Sequence, residues 1–195
     1  MKLIDHLFPG AILSMSTRTA FGWLIRASLG KAYRRLTGAK TNRFCPNHDA
    51  LVVECGGTLY IGDCVPPHCR LAPVEDYERW IADGEIFNLS VLNVSLSTIT
   101  QGYAASQWWL RNVNNTPYDL VAFPRLFLKA VFGDWIPAAA GMEFAHWCTE
   151  SVMQAWRDGA QLDPYQNKNP TPFTTLKRRY ERKLGCVARV KGNPQ

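Results

Sequence analysis

Apolar and β-branched positions gather most clearly in two short runs, HDALVVE at 48–54 and TLYIGDC at 58–64, parted by Gly56-Gly57. Two such runs on either side of a two-residue glycine turn predict a β-hairpin. On such strands His48, Ala50 and Val52 share one face, and Leu59, Ile61 and Asp63 share a face of the partner. Upstream, Pro9-Gly10 is a turn and AILSMS at 11–16 alternates as a short strand. From Thr19 to Leu36 the spacing changes to three and four, with Phe21, Leu24, Ile25 and Leu29 on one side, which predicts a helix. A turn-prone stretch, Thr37 to Asn47, leads into the hairpin.

Beyond the hairpin, Val65-Pro66-Pro67 breaks the strand and CRLAP at 69–73 predicts a short extended piece. VEDYERWIA at 74–82 predicts a helix and IFNLSVLNVS at 86–95 another strand. Ser97 is the expected cap of a helix running to about Asn114. Tyr118 to Phe132 reads as a helix disturbed at Pro124, and Gly133 to Gly141 as a loop. Val152, Met153 and Trp156 predict a helix from Cys148 to Arg157, with Gly159 as its stop. A basic helix over about 173–185 and a last edge strand, CVARV at 186–190, close the chain. The pattern predicts an α+β fold in a single domain over 1–195, with no internal repeat.

Composition adds a packed core, at 47% hydrophobic and 12% aromatic residues. The N-terminal apolar segment is broken by Asp5, His6 and Pro9, and no small-x-small cleavage site follows. No apolar run approaches the roughly 18 residues of a membrane helix. The expectation is a soluble protein, cytoplasmic at synthesis, of bacterial or phage origin. In that setting the six cysteines fit reduced thiols better than a disulfide framework.

Net charge is +6, unevenly spread. Arg18 to Arg43 holds seven Lys/Arg and no acid, and 173–191 holds seven against Glu181 alone, whereas 44–172 carries seven bases against fourteen acids. Basic helix faces are usually just solvated. The functional reading is contact with an anionic polymer or a membrane surface through the basic ends. No nucleic-acid motif accompanies them.

Cys148 sits where its helix is expected to begin, among unpaired backbone N–H groups that favour a thiolate. Burial as an inert side chain is the commoner fate of a free cysteine. A cysteine hydrolase also needs a histidine to hold and return the proton, and a polar group to orient that histidine. His48, opening one strand, and Asp63, closing its antiparallel neighbour, suit those two roles. Glu54, at the end of the first strand, is the alternative third residue. His146 lies too close before the helix to turn back onto the sulfur, and His6 has no evident partner.

Taken together, Pro9-Gly10-Ala11-Ile12-Leu13, Ile25-Arg26, His48 through Val53, Tyr118-Asp119, Cys148-Thr149-Glu150 and Pro170-x-Pro172 run in a recognisable order. The pattern resembles the circularly permuted papain-like amidases, the permuted NlpC-type and YiiX-like cysteine peptidases. Ala11 replaces an acid frequent in that family, and Thr149 stands where serine is usual. The resemblance implies a papain-like fold, a small antiparallel sheet packed against the helix bearing the nucleophile. It also implies Cys148 as nucleophile, His48 as base and Asp63 as the third residue, acting without a cofactor on a peptide, cell-wall or acyl substrate.

Two other readings compete. Cys45, His48, Cys64 and Cys69, with Cys55 and His68 nearby, offer ligand types for a structural zinc in a non-catalytic protein holding an anionic partner. The wide Cys64–Cys69 spacing lacks the usual tight knuckle. Trp108, Trp109 or Trp135 would serve a binding module, although tryptophans at helical spacing are more often core.

Overall fold

The computed structural model describes residues 2–119, 146–166 and 171–192 of the 195. Six strands form one sheet: β1 (Ile12–Thr17), β2 (His48–Cys55), β3 (Thr58–Val65), β4 (His68–Pro73), β5 (Ile86–Val94) and β6 (Leu184–Val190). Their order is β4-β3-β2-β1-β5-β6, and every neighbouring pair is antiparallel. Gly56 and Gly57 both take positive φ, +60° and +80°, the conformation a two-residue turn needs to match strand twist.

The sheet is covered on both faces, so its central strands are buried almost end to end. On one face Ile12, Leu51, Val53 and Leu92 pack against α3 (Ile99–Asn112) and α4 (Cys148–Gln154). Trp109, Val152 and Trp156 fill that interface. On the other face Leu13, Met15, Val52, Ile61 and Leu89 pack against Val74, Tyr77 and Ile81 of α2 (Val74–Ala82). A smaller cluster joins Leu29 and Tyr33 of α1 (Ala20–Thr37) to Leu176 of α5 (Pro172–Tyr180). The α+β class and the antiparallel sheet are as expected.

Local chemistry moved some boundaries. Thr98, not Ser97, caps α3, because Gln101 completes a reciprocal capping box with it. The basic C-terminal helix stops at Tyr180 rather than near 185: Arg182 turns to positive φ and Leu184 already pairs with Val94 in β6. The cysteine helix continues through Ala155–Gly159 as a π turn. Trp109 is buried in the core and Trp108 half-buried, which removes both as an exposed platform. The helix expected over 118–132, the loop 133–141 and Trp135 lie outside the described residues, apart from Tyr118 and Asp119. Among the described residues no helix is long and apolar enough to cross a membrane.

The expectation of six reduced thiols is overturned. Cys64 and Cys69 face each other across β3 and β4 and are joined as a disulfide. The Pro66-Pro67 turn sets the two strands in a register that leaves those cysteines opposite each other. Cys45, Cys55, Cys148 and Cys186 are free.

Candidate active site

Pairing of Val52 with Ile61 fixes the hairpin register, and its continuation puts His48 and Asp63 diagonally adjacent on one face. The side chains meet: His48 Nε2 lies 2.6 Å from Asp63 Oδ1. Cys148 stands against the same imidazole and acts on it together with Asp63. With Nε2 engaged by the carboxylate, Nδ1 is the nitrogen left to serve the thiol.

Cys148 reaches this position because α4 lies on the other side of β2, anchored by Val152, Met153 and Trp156. Its approach is set just upstream, where His146 forms a bridge with Tyr118 and His68 one with Pro117. Those bridges tie the start of the cysteine helix to the β3–β4 turn. Cys148 itself is 4% exposed, opening onto a cavity of about 250 Å³. His48, Asp63, Tyr118, Tyr77 and Trp80 also line that cavity.

The electrostatics follow from the geometry. Burial opposes a charge on His48, but Asp63 and then Cys148 outweigh it and raise the imidazole well above its usual range. Burial would likewise raise Asp63, yet the His48 charge and hydrogen bond, the Tyr77 hydroxyl and Arg70 hold it below the usual carboxylate range. Tyr118 is pushed well up by burial and by the adjacent Cys148, so its phenol stays protonated. An imidazole pinned by a carboxylate and aimed at a sulfur can take a proton from the thiol and return it to a leaving group.

The other candidates go elsewhere. Glu54 accepts from the Gly57 N–H at the far end of the hairpin and from Gln107 Nε2 at 3.3 Å, away from His48. His146 spends its backbone on the Tyr118 bridge, and burial lowers its pKa beside Gln154. Cys45 is fully buried, its Sγ 3.7 Å from the Pro46 carbonyl, and burial pushes its thiol up to about 12. Two features were not foreseen. Tyr77 reads in sequence as an apolar helix position, and nothing in VEDYERWIA marks its hydroxyl for Asp63. Asp49 is buried too, with Oδ2 accepting from Thr149 at 2.8 Å and Thr175 at 2.7 Å. A carboxylate beside the histidine, on a strand whose two faces are both covered, was the available signal.

No protein-family model matches the chain, and no curated protein is similar enough in sequence to stand as a relative. Among solved structures the fold resembles the crystal structure of the metalloprotein YiiX from Escherichia coli O157:H7, DUF1105. The TM-score is 0.53 and the identity 16%, over 96% of this chain and 89% of that one. At that identity the likeness shows the fold. The donors weighed for a metal do not fit one here. Cys64 and Cys69 are bonded to each other, Cys45 is buried apart, and His48 Nε2 is held by Asp63. Among the described residues no group of three or more His, Cys, Asp or Glu side chains is arranged as a metal site.

Proposed function

We propose that this chain is a cysteine hydrolase of the amidase or peptidase type, cleaving an amide or ester bond through Cys148, His48 and Asp63. The observation that carries the reading is one imidazole held between a buried carboxylate at 2.6 Å and a helix-start thiol, at the wall of a cavity. Cys148 Sγ, its proton already held by His48, attacks the carbonyl. The tetrahedral intermediate collapses as His48 returns that proton to the leaving amine or alcohol. Water, deprotonated by His48, then releases the acyl group. The backbone N–H of Cys148 is one oxyanion donor, and Tyr118, protonated and against the same sulfur, is the candidate second. The YiiX likeness supports the fold that this arrangement needs.

The test uses no substrate. Limiting iodoacetamide at about pH 6 leaves an ordinary thiol almost wholly protonated, whereas an imidazolium-paired thiolate reacts. Peptide mapping should find Cys148 labelled ahead of Cys55 and the exposed Cys186, with Cys45 inert. His48→Ala should slow that labelling, and His146→Ala should leave it nearly unchanged. Labelling that follows exposure alone, or that ignores His48→Ala, removes the proposed nucleophile.

A further inference from the structure

The two basic ends of the chain come together in the fold. Tyr33 of α1, from the first basic run, packs with Leu176 of α5, from the second. Beside that contact lies a second cavity, of about 340 Å³. Its floor is one row of the sheet, Ser14 on β1, Ser90 on β5 and Arg189 on β6, paired strand to strand. Arg179 of α5 and Lys191, just past β6, also line it.

These cations are not committed elsewhere. The nearby acid, Glu181, is engaged by Lys177 and Arg178. Among the described residues no acid lines the cavity, and none pairs with Arg179, Arg189 or Lys191. Ser14, 6% exposed, faces Asp49 across the β1–β2 pairing and is turned to that carboxylate, whose ionised form it favours. Asp49 Oδ2 accepts from Thr149 and Thr175. Converging cations with the Ser90 and Tyr33 hydroxyls in a recess are a donor set awaiting an acceptor.

We propose that this cavity, separate from the Cys148 site, binds a phosphate-bearing ligand through Arg179, Arg189 and Lys191, with Ser90 and Tyr33 as hydroxyl donors. A carboxylate is matched by one guanidinium in a bidentate fork. Three cations and two hydroxyls gathered from α1, α5, β5 and the end of β6 suit the larger, more highly charged phosphate group. The volume leaves room for more than the bare anion, so the ligand is a phosphate ester, either soluble or a lipid headgroup.

The experiment titrates the full chain with glycerol 3-phosphate by calorimetry, and in parallel floats it with phosphatidylcholine vesicles with and without phosphatidic acid. The combined variant Arg179→Gln/Arg189→Gln is compared with Arg34→Gln/Arg35→Gln, exposed on α1 and outside the cavity. Lys191→Gln is the second probe should the first variant unfold. Binding should weaken at least about tenfold in Arg179→Gln/Arg189→Gln and stay unchanged in Arg34→Gln/Arg35→Gln. Cys148 alkylation should be the same in all of them. That pattern with glycerol 3-phosphate assigns a soluble ester. The same pattern confined to phosphatidic acid vesicles assigns a headgroup. Absence of binding to either probe, or equal weakening in both double variants, overturns the proposal and leaves only a diffuse positive surface.

Discussion

Asp49 and Asp63 are both aspartates at nearly the same depth, 0% and 2% exposed, and each reaches the start of α4. Asp63 reaches Cys148 through His48, and Asp49 reaches the next residue, Thr149, directly. Strand alternation sends His48 and Asp49 to opposite faces of β2, and the turn of α4 parts Cys148 from Thr149 in the same way. Their ionisation diverges. Burial raises Asp49, and the hydroxyls of Thr175 and Thr149 do not reverse it, whereas the charge on His48 holds Asp63 down. A charged partner poises a buried carboxylate for proton chemistry; neutral partners make it a pin between elements.

The sharpest way to break that contrast is to remove each acid in turn. Asp63→Ala should lower Cys148 alkylation at about pH 6, and turnover once a substrate is known, by roughly a hundredfold or more. Asp63→Asn should retain more of both, since an amide oxygen still accepts from Nε2. Glu54→Ala should change little. Asp49→Ala should instead lower stability, by about 3 kcal/mol, because Thr149 and Thr175 lose their acceptor inside the core. Urea unfolding and alkylation rates together read both effects. Equal behaviour of the two variants in both assays would erase the distinction.

Thr175→Val tests the pin from its other end, further from the chemistry. It removes a 2.7 Å bond to Asp49 at a fully buried position and should cost about 2 kcal/mol in urea unfolding. Alkylation of Cys148 should not change, because Thr175 lies on α5, whereas a fall in alkylation would tie Asp49 to the reactive side.

How far these residues could be read in advance depends on how local their signals are. The hairpin was legible because two short apolar runs and Gly56-Gly57 are adjacent cues, and His48 with Asp63 came with it. Ser97 and Thr98 both offer a hydroxyl; only Gln101, three residues after Thr98, separates them. The Cys64–Cys69 bond was hidden because reading the chain as cytoplasmic argued against disulfides, while strand register alone brings the two together. Asp49 was obscured because its partners, Thr149 and Thr175, lie 100 and 126 residues further on and only the fold brings them to it. Tyr77 belongs to an amphipathic helix whose partner is known only after α2 docks on the sheet.

A smaller effect separates the acids by pH. His48 is raised and Asp63 lowered, so their pair stabilises the fold above the lowered Asp63 value and below the raised His48 value. The contribution is present in full between the ordinary carboxylate range and about pH 6.5. It is lost as pH climbs through the raised His48 value or drops through the lowered Asp63 value. The stability gap between wild type and Asp63→Asn, of order 1 kcal/mol, should therefore be widest near pH 5–6 and narrow at alkaline pH. A gap that widens toward alkaline pH would show that His48 is not the charge holding Asp63.

The smallest expected change comes from Tyr77→Phe. The Tyr77 hydroxyl favours the ionised form of Asp63, and burial, reinforced by that carboxylate, raises its own pKa well above the usual phenol range. The phenol is therefore a fixed donor and not a proton carrier. Its removal leaves the 2.6 Å bond between His48 and Asp63 in place but takes away one of the groups stabilising the carboxylate. Asp63 should become slightly more basic, and the acid limb of the Cys148 alkylation profile should move to higher pH. At a fixed pH near 6 the rate should fall only about threefold, far less than for Asp63→Ala. The ring stays packed among Val74, Ile81 and Ile61, so unfolding in urea should change by no more than about 1 kcal/mol. A shifted profile with nearly intact stability would identify Tyr77 as a positioning residue acting through Asp63. An unshifted profile with lost stability would return it to the core cluster beside α2.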